Sequence, residues 1–332
     1  MMKILVTLPT GHMMESFAPE MVTKRLNQMA EVEYNPYDRD FTPEELRERL
    51  MGKDAVITGW GTSKLTQEVL EGNDTLKIIC HTGGTVTPIV DDYAYKKGIK
   101  VLSGNQVYAE SVAEAIIAYS LIGLRKIPTY LDRVHNGGWY QGEVWEGLLD
   151  QTMGFVSFGT IPKYLIELLK PFRVKVKVYS AHLSDEELTK YNMERASLEE
   201  IFSTCKIISV HSAYTAKTHH MINKELLEMI PDGAVFVNTS RGGVIDEPAM
   251  IEELKKERFT AVLDVYEQEP MAQDNPLRNM PNVYAIPHMG GPTYDRRKYV
   301  TLALCDDIEN YYAGKELRME ITQETSKRMS NK

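Results

Sequence analysis

The stretch M-G-F-V-S-F-G-T-I-P, residues 153–162, leads from an apolar run through a turn at Gly159 into a helical pattern. Short runs rich in β-branched residues and bounded by turn residues are typical of buried strands. Five further runs of this kind follow, each separated from the next by a helical pattern. They cover residues 174–179, 206–211, 234–239, 260–265 and 283–287. Strands that alternate with helices form a mostly parallel sheet, so this half predicts a six-stranded doubly wound sheet.

The first hundred residues show the same alternation. Strands are predicted at 3–8, 54–59, 76–81 and 99–103, and helices near 16–30, 42–51, 66–72 and 89–97. A long apolar helix at 109–125, broken by Pro128, separates this part from the second sheet. A last helix at about 293–314 and a polar tail continue beyond that sheet. The chain is therefore predicted to be an α/β protein with two doubly wound parallel sheets.

Length and composition limit the possible functions. A chain of 332 residues is long for one core and favours two domains. The net charge is -9 and no basic cluster stands out, which argues against a nucleic-acid partner. No run approaches the roughly 18 apolar residues that a membrane span requires, and no metal-ligand spacing is present. Three scattered cysteines, Cys80, Cys205 and Cys305, indicate reduced thiols, and we expect a cytoplasmic protein without a membrane partner.

The turn at 157–162 is a degenerate form of a dinucleotide-binding turn. Such turns read G-x-G-x-x-G, because glycine lets the backbone approach a pyrophosphate at a helix N-terminus. Here only the middle glycine is present, and Ser157 and Pro162 stand at the other two positions. The serine hydroxyl could bind phosphate, and proline is tolerated in a first helical turn. The candidate cofactor-binding residues of this turn are Ser157, Gly159, Thr160 and Ile161.

The end of the next strand bears on the choice of dinucleotide. A carboxylate commonly binds the adenosine ribose hydroxyls there, but this chain has Ser180. Without that carboxylate a 2′-phosphate is not repelled, yet no arginine follows to bind one. His182 is a candidate substitute. The sequence therefore leaves NAD and NADP both open.

Three later runs each lead to a residue of a different chemical type. Arg241 follows the run at 234–239, Glu269 follows 260–265, and His288 follows 283–287. Ligand chemistry in open α/β sheets lies at the carboxyl ends of strands. A cation, a carboxylate and an imidazole together suit the reduction of a carbonyl next to a carboxylate. Each residue alone could instead be a surface charge, a loop carboxylate or a turn histidine.

Four ordered motifs resemble those of the D-isomer-specific 2-hydroxyacid dehydrogenases, whose relatives include glyoxylate/hydroxypyruvate reductases and phosphoglycerate dehydrogenases. They are H-S-A-Y-T-A-K-T at 211–218, V-N-T-S-R-G-G-V-I-D at 237–246, L-D-V-Y-E-Q-E-P at 263–270 and P-H-M-G-G-P-T at 287–293. The resemblance covers nearly the whole length. It implies a Rossmann cofactor domain, residues 104–298, inserted into a flavodoxin-like substrate domain made of 1–103 and 299–332. It also implies a homodimer through the 104–150 region.

The resemblance further implies roles for individual residues. Arg241 would bind the substrate carboxylate, His288 would act as the acid/base, and Glu269 would orient His288 and favour its protonated form. The substrate would be a 2-keto acid or D-2-hydroxy acid. Gly83 and Gly84 could direct backbone N–H groups at a carboxylate, or form an ordinary turn. Further cofactor-binding candidates are Ser180, His211, Ala213, Thr218, Thr239, Ser240, Asp264 and Gly290.

A second class of function is compatible with the same sequence. The degenerate glycine turn and the missing ribose carboxylate favour a dinucleotide-sensing binding protein, similar to the family's corepressor branch. The complete set of Arg241, Glu269 and His288 favours an enzyme instead. The sequence does not identify the substrate, whose side chain we expect to contact the loops at 9–15, 81–86 and 103–108.

Overall fold

The chain folds into two compact units. The structure, a computed structural model, describes residues 1–140, 142, 144–181 and 183–330. Unit 1 consists of Met1–Tyr108 with Pro292–Lys332, and unit 2 is Ala109–Gly291. The borders predicted after residues 103 and 298 lie five and seven residues from these divisions. The first border shifts because Val107 and Tyr108, in the first turn of a long helix, pack against the core of unit 1.

The strands form one parallel sheet in each unit. Unit 1 contains β1 (Lys3–Val6), β2 (Glu31–Tyr34), β3 (Ala55–Thr58), β4 (Ile78–His81) and β5 (Lys100–Ser103). Unit 2 contains β6 (Thr152–Val156), β7 (Lys175–Tyr179), β8 (Met193–Arg195), β9 (Ile207–Val210), β10 (Val235–Asn238), β11 (Thr260–Leu263) and β12 (Val283–Ala285). The strand orders are β2-β1-β3-β4-β5 and β12-β11-β10-β9-β6-β7-β8. These are the flavodoxin-like and Rossmann orders, the latter with a seventh strand, so the predicted fold class is confirmed.

The helices follow the strands in the expected alternation. In chain order they are α1 (His12–Phe17), α2 (Glu20–Met29), α3 (Pro43–Leu50), α4 (Gln67–Leu70), α5 (Asp92–Lys96), α6 (Asn105–Leu124), α7 (Ile127–His135), α8 (Thr160–Leu169), α9 (Asp185–Tyr191), α10 (Leu198–Thr204), α11 (Lys224–Met229), α12 (Glu247–Leu254), α13 (Arg297–Tyr312) and α14 (Gln323–Ser326). The single helix predicted at 16–30 is two helices, because Pro19 begins a new one. Pro128 lies in the first turn of α7, where its missing N–H is tolerated, and so begins that helix.

Two strands were missed in the sequence, and both lie at sheet edges. The residues of β2, E-V-E-Y, are only partly buried, and β8 exposes Glu194 and Arg195. Neither strand carries the apolar run that marks a buried strand, since an edge strand packs against fewer neighbours. The prediction of six strands in the second sheet was therefore wrong by one. The central strands β9, β10 and β11 are buried along their whole length.

The long helix α6 is apolar along much of its length. By length and composition alone, Asn105–Leu124 is apolar enough to cross a membrane, although its apolar residues do not form one uninterrupted run. Half of the apolar part of this helix is buried. Val112, Ile116 and Tyr119 pack into the core of unit 2. Buried core helices are apolar for the same reason as spans, because both exclude water.

Candidate active site

Arg241 lies in a tightly bonded turn after the buried strand β10. Asn238 Oδ1 accepts hydrogen bonds from the Ser240 N–H at 3.0 Å and the Ser240 hydroxyl at 2.8 Å. Asn238 Nδ2 donates to the Arg241 carbonyl at 3.2 Å. Burial lowers the pKa of Arg241, and the nearby negative charge of Glu269 opposes this shift. A guanidinium stays protonated in proteins, so the turn presents a fixed cation close to Glu269.

Gly242 brings the turn of Arg241 into contact with the turn after β11. A Cβ atom on Gly242 would lie 1.9 Å from the Tyr266 carbonyl carbon, 2.1 Å from its oxygen and 2.3 Å from Glu267 N. No side chain fits at such distances, and the obstructing atoms are backbone. The glycine after Arg241 therefore lets two strand-end turns pack directly against each other. Of the three candidates, Arg241 and Glu269 belong to these two turns.

Glu269 and His288 form a direct pair. His288 Nδ1 lies 2.6 Å from Glu269 Oε2, and Glu269 Oε1 accepts from the Tyr266 N–H at 3.0 Å. An ionised carboxylate only accepts hydrogen bonds, so Nδ1 carries the proton that is shared with Glu269. Nε2 is then the ring nitrogen that can exchange a proton with another molecule. The His288 side chain is 49% exposed, which leaves room for such an exchange.

Asp264 holds the backbone that follows His288. This buried carboxylate accepts from the Met289 N–H at 2.8 Å and from the Gly290 N–H at 2.9 Å, and the Tyr119 hydroxyl lies 3.4 Å away. Burial, with the charge of Asp264, raises the pKa of Tyr119. His288 has φ 49°, a left-handed conformation that a non-glycine residue adopts at a cost. The two bonds to Asp264 keep the chain in this conformation. Asp264, expected to contact the cofactor, thus also has partners within unit 2.

Tyr266 is a structural residue that the sequence did not identify. Its hydroxyl lies 2.8 Å from the Leu263 carbonyl and 3.0 Å from the Ile286 carbonyl. Burial raises its pKa to about 12, so it remains a donor. It joins the end of β11 to the segment just before His288. The only sequence signal was an aromatic residue among polar ones in L-D-V-Y-E-Q-E-P.

The glycine-poor turn at 157–162 is strained at Ser157. This residue has φ 79°, a conformation that favours glycine. Its hydroxyl lies 2.6 Å from the Ser212 hydroxyl, and its N–H donates to the Tyr179 carbonyl at 2.7 Å. The hydroxyl expected to bind phosphate is therefore bonded within unit 2. The conformation of the missing first glycine is nevertheless preserved.

The same turn leaves open space at the start of α8. A Cβ atom on Gly159 would have no heavy atom within 4 Å, and no side chain caps the first turn of the helix. Thr160 and Ile161 begin this helix and buried Pro162 follows. An open helix N-terminus at the carboxyl end of a central strand suits a bound phosphate group. The residues present therefore fit a dinucleotide.

The other cofactor candidates differ in their surroundings. Ser180 is half-buried directly after β7, and His182 lies outside the described residues. Thr218 donates to the Ala213 carbonyl at 2.6 Å and closes their turn. Within the described part of the chain, the buried Thr239 hydroxyl has no hydrogen-bond partner. Such an orphaned group at a strand end is compatible with a ligand contact.

His211 is half-buried directly after β9, and both of its ring nitrogens are buried. Both ring nitrogens lack a hydrogen bond among the described residues, and the ring meets Phe155 edge-on at 5.2 Å. Burial lowers the pKa of His211 to about 3. The imidazole is therefore neutral in the folded protein at neutral pH. This favours a packing contribution from His211 over charge recognition.

The neutral His211 predicts acid sensitivity. The unfolded chain binds a proton near the ordinary pKa of 6.5, whereas the folded chain does so only near 3, so stability falls as pH drops below 6.5. At pH 5 this residue should cost about 2 kcal/mol of the free energy of unfolding. In denaturant titrations, the free energy of unfolding should therefore fall by about 2 kcal/mol less between pH 7 and pH 5 in His211→Phe than in the wild type. His135→Gln, at an exposed position, is the control and should lose as much free energy of unfolding between pH 7 and pH 5 as the wild type does. An unchanged pH dependence in His211→Phe would contradict this prediction.

Gly83 and Gly84 lie in unit 1, in the turn after β4. The Gly104 N–H donates to the carbonyls of His81 and Gly83, each at 3.0 Å. A Cβ atom on Gly83 would lie 2.3 Å from His81 Nε2, and one on Gly84 would lie 3.6 Å from the Tyr108 ring. The buried His81 ring thus packs against the Gly83–Gly84 turn. Its Nδ1 lies 3.0 Å from the Thr58 hydroxyl. Burial lowers the pKa of His81 to about 4, so it too is neutral.

Comparison with known proteins agrees with this architecture. Residues 117–290, which are 174 of the 332, match the model of the D-isomer specific 2-hydroxyacid dehydrogenase, NAD binding domain. The chain is 31% identical over 318 residues to D-3-phosphoglycerate dehydrogenase of Methanocaldococcus jannaschii, covering 95% of this chain and 58% of that protein. It is 32% identical over 257 residues to hydroxypyruvate reductase of Thermotoga maritima, covering 76% of this chain and 83% of that protein.

A solved structure is similar over nearly the whole chain. An acyclic imino acid reductase in complex with NADPH and D-Arg has a TM-score of 0.79 and 26% identity, covering 96% of this chain and 100% of that one. The present chain spans less than two thirds of the phosphoglycerate dehydrogenase that it matches. The match to the NAD-binding domain extends over the turn at 157–162 and the residues Arg241, Glu269 and His288. This chain belongs to the D-isomer specific 2-hydroxyacid dehydrogenase family.

Proposed function

We propose that this protein is an NAD(P)-dependent D-2-hydroxyacid dehydrogenase that reduces a 2-keto acid or oxidises the corresponding D-2-hydroxy acid. The observation that carries the proposal is the 2.6 Å contact between Glu269 and His288, beside a turn that holds Arg241. Relatives named as dehydrogenases and reductases of small hydroxy acids support it. No structural observation favours the dinucleotide-sensing alternative.

Arg241 is proposed to bind the substrate carboxylate. Its guanidinium is buried enough for its pKa to be lowered, so a carboxylate would pair with it away from bulk water. A planar guanidinium can bind a carboxylate through two parallel hydrogen bonds, which fixes the direction of the adjacent carbonyl. In unit 1, the backbone N–H groups near Gly83 and Gly84 are proposed to bind a substrate carboxylate.

His288 is proposed to transfer the proton. In the reduction, Nε2 donates a proton to the carbonyl oxygen, and in the oxidation it takes the proton from the hydroxyl. Glu269 holds the ring through Nδ1 and stabilises its positive charge. The nicotinamide cofactor supplies the hydride when it is bound. Its phosphates are proposed to lie at the N-terminus of α8, beside Gly159.

The assembly and location are also proposed. Several apolar side chains after α6 are exposed in a single chain: Ile127, Leu131, Val134, Trp139, Tyr140, Val144, Trp145 and Leu149. Contiguous exposed apolar residues commonly mark an interface, so we infer a homodimer through the 104–150 region. All three cysteines are free and buried, consistent with the cytoplasm that we propose. Light scattering of the purified protein measures the oligomeric state.

The cofactor preference can be tested at Ser180. We infer that NADPH is accepted as well as NADH, because no carboxylate occupies this position to repel a 2′-phosphate. The structurally similar imino acid reductase, whose structure contains NADPH, supports this inference. In Ser180→Asp, the ratio of kcat/KM with NADH to that with NADPH should rise at least about tenfold, since the new carboxylate binds ribose hydroxyls and repels phosphate.

Ser203→Asp is the matched control, because it adds the same charge at an exposed position of α10. The ratio should not change in this control. If Ser180→Asp also leaves the ratio unchanged, then Ser180 does not face the adenosine ribose.

An absorbance assay of the reduced nicotinamide tests the proposed function. NADH and NADPH are each combined with glyoxylate, pyruvate, hydroxypyruvate, phenylpyruvate and branched 2-keto acids. Oxidation of the cofactor with at least one of these acids is expected. Binding of the dinucleotide without turnover of any of them would refute the enzymatic proposal and support the sensing alternative.

A further inference from the structure

Trp60 is a half-exposed aromatic residue in the turn after β3, and no role assigned above uses it. Its residue surface is 47% exposed, although one side of the ring meets Phe17 edge-on at 5.3 Å. Exposure alone assigns no role to an aromatic residue, since single exposed apolar side chains are common on protein surfaces. The position of Trp60 at the carboxyl end of a central strand is where α/β sheets bind ligands.

The turn that carries Trp60 is closely fixed. The Gly59 N–H donates to the Thr62 hydroxyl at 2.9 Å, and that hydroxyl lies 2.8 Å from the buried Thr7 hydroxyl. A Cβ atom on Gly59 would lie 2.7 Å from Leu8, and one on Gly61 would lie 2.1 Å from the Asp40 carboxylate. Larger residues on either side of Trp60 would therefore force their neighbours to move. The backbone on both sides of Trp60 is therefore closely packed.

Arg297, at the start of α13, supports the same ring. Its guanidinium carbon lies 5.1 Å from the centre of the Trp60 ring and 5.5 Å from that of Phe17. Nη1 donates to His12 Nε2 at 2.9 Å. A cation over an aromatic face is attracted by the ring's quadrupole, which stabilises the orientation of Trp60. Arg297 therefore acts through Trp60 and is a positioning residue.

Two aromatic rings border the Gly83–Gly84 turn. Trp60 Cδ1 lies 3.1 Å from where a Cβ of Gly83 would be, and the Tyr108 ring lies 3.6 Å from the corresponding position on Gly84. Burial raises the pKa of Tyr108, so its hydroxyl stays uncharged. A keto acid held at this turn would therefore have its remaining substituent beside a tryptophan and a neutral tyrosine.

From this juxtaposition we propose that Trp60 selects 2-keto acids with a flat aromatic or branched apolar substituent. The inference rests on the proposed function. An indole ring contributes apolar contact area and stacking to such a substituent, but little to a small substituent such as the hydrogen of glyoxylate. Arg297 donates to His12 and Ser16, neither of which carries a carboxylate, so its charge makes a second anionic group the competing occupant that the oxaloacetate comparison tests.

The test compares kcat/KM for phenylpyruvate, glyoxylate and oxaloacetate in wild type, Trp60→Ala and Trp60→Phe. Tyr312→Ala is the control, because it removes an equally exposed aromatic residue from α13. The wild type should prefer phenylpyruvate to the other two acids. Trp60→Ala should lower kcat/KM for phenylpyruvate by about tenfold or more while changing glyoxylate less than about twofold. Trp60→Phe should restore most of the loss, and Tyr312→Ala should change neither value.

Each other outcome rejects the inference in a recognisable way. A preference of the wild type for oxaloacetate would assign the subsite to a second anion, and a preference for glyoxylate would leave Trp60 without a selective role. An equal loss for both substrates in Trp60→Ala would indicate a structural effect only. Absence of turnover with every 2-keto acid would instead reject the proposed function itself.

Discussion

His288→Gln is expected to lower kcat for 2-keto acid reduction by about 10²–10⁴-fold, the usual contribution of a general acid or base. Glutamine can still form a hydrogen bond to Glu269, but its amide cannot donate a proton to the substrate and regain it from water at neutral pH. The fold should persist, because the backbone after residue 288 is held by Asp264. Steady-state kinetics with saturating cofactor, and circular dichroism of the same preparation, measure both effects.

Two companion variants separate proton transfer from other losses. Arg241→Lys should also lose most turnover, since lysine keeps the charge but not the planar pair of hydrogen bonds. His135→Gln makes the same replacement at an exposed position of α7 and should behave as wild type. If His288→Gln and Arg241→Lys both retain near wild-type rates while folded, the proposed roles of these residues are wrong.

Gly242→Ala should destabilise unit 2 by more than about 3 kcal/mol, at the upper end of overpacking effects. The added Cβ would lie 1.9 Å from the Tyr266 carbonyl carbon, and that backbone cannot rotate away as a side chain could. Relief requires the turns of Arg241 and Glu269 to separate. Turnover should therefore fall together with stability. Denaturant unfolding monitored by circular dichroism gives the change in free energy.

Gly147→Ala is the matched control for this substitution. Its added Cβ would have Arg125 Nη2 as nearest neighbour at 3.9 Å, an ordinary contact distance. We expect the control to change the free energy of unfolding by less than about 0.5–1 kcal/mol. A Gly242→Ala variant as stable as this control would show that the two turns do not depend on each other's position.

The buried parts of the fold were predictable from the sequence because burial leaves a compositional signal. Strands β9, β10 and β11 are covered on both faces, so their residues form uninterrupted apolar runs. The edge strands β2 and β8 were missed, since water reaches them and polar residues are allowed. The break at Pro19 was missed because an apolar pattern continues across it, while proline fixes the backbone locally.

The chemical types at the candidate site were also visible in the sequence, but their partners were not. Arg241, Glu269 and His288 stand after strand runs, and parallel strands end at the same edge of a sheet. The hydrogen bonds between Asp264 and the backbone N–H groups of residues 289 and 290 join positions 25 and 26 residues apart. No local sequence pattern predicts such bonds. The same holds for the Ser157–Ser212 contact, which occupies a hydroxyl that had been assigned to phosphate.

The amino-acid order by itself determined the fold class, the family and the identity of the polar groups, because periodicity and motif spacing are properties of the chain. Tertiary structure alone decided which groups are partnered, which histidines are neutral, and that Trp60 borders the Gly83–Gly84 turn. These properties depend on distances of a few ångströms and on the exclusion of water between segments far apart in sequence. Such distances arise only when the strands and helices pack.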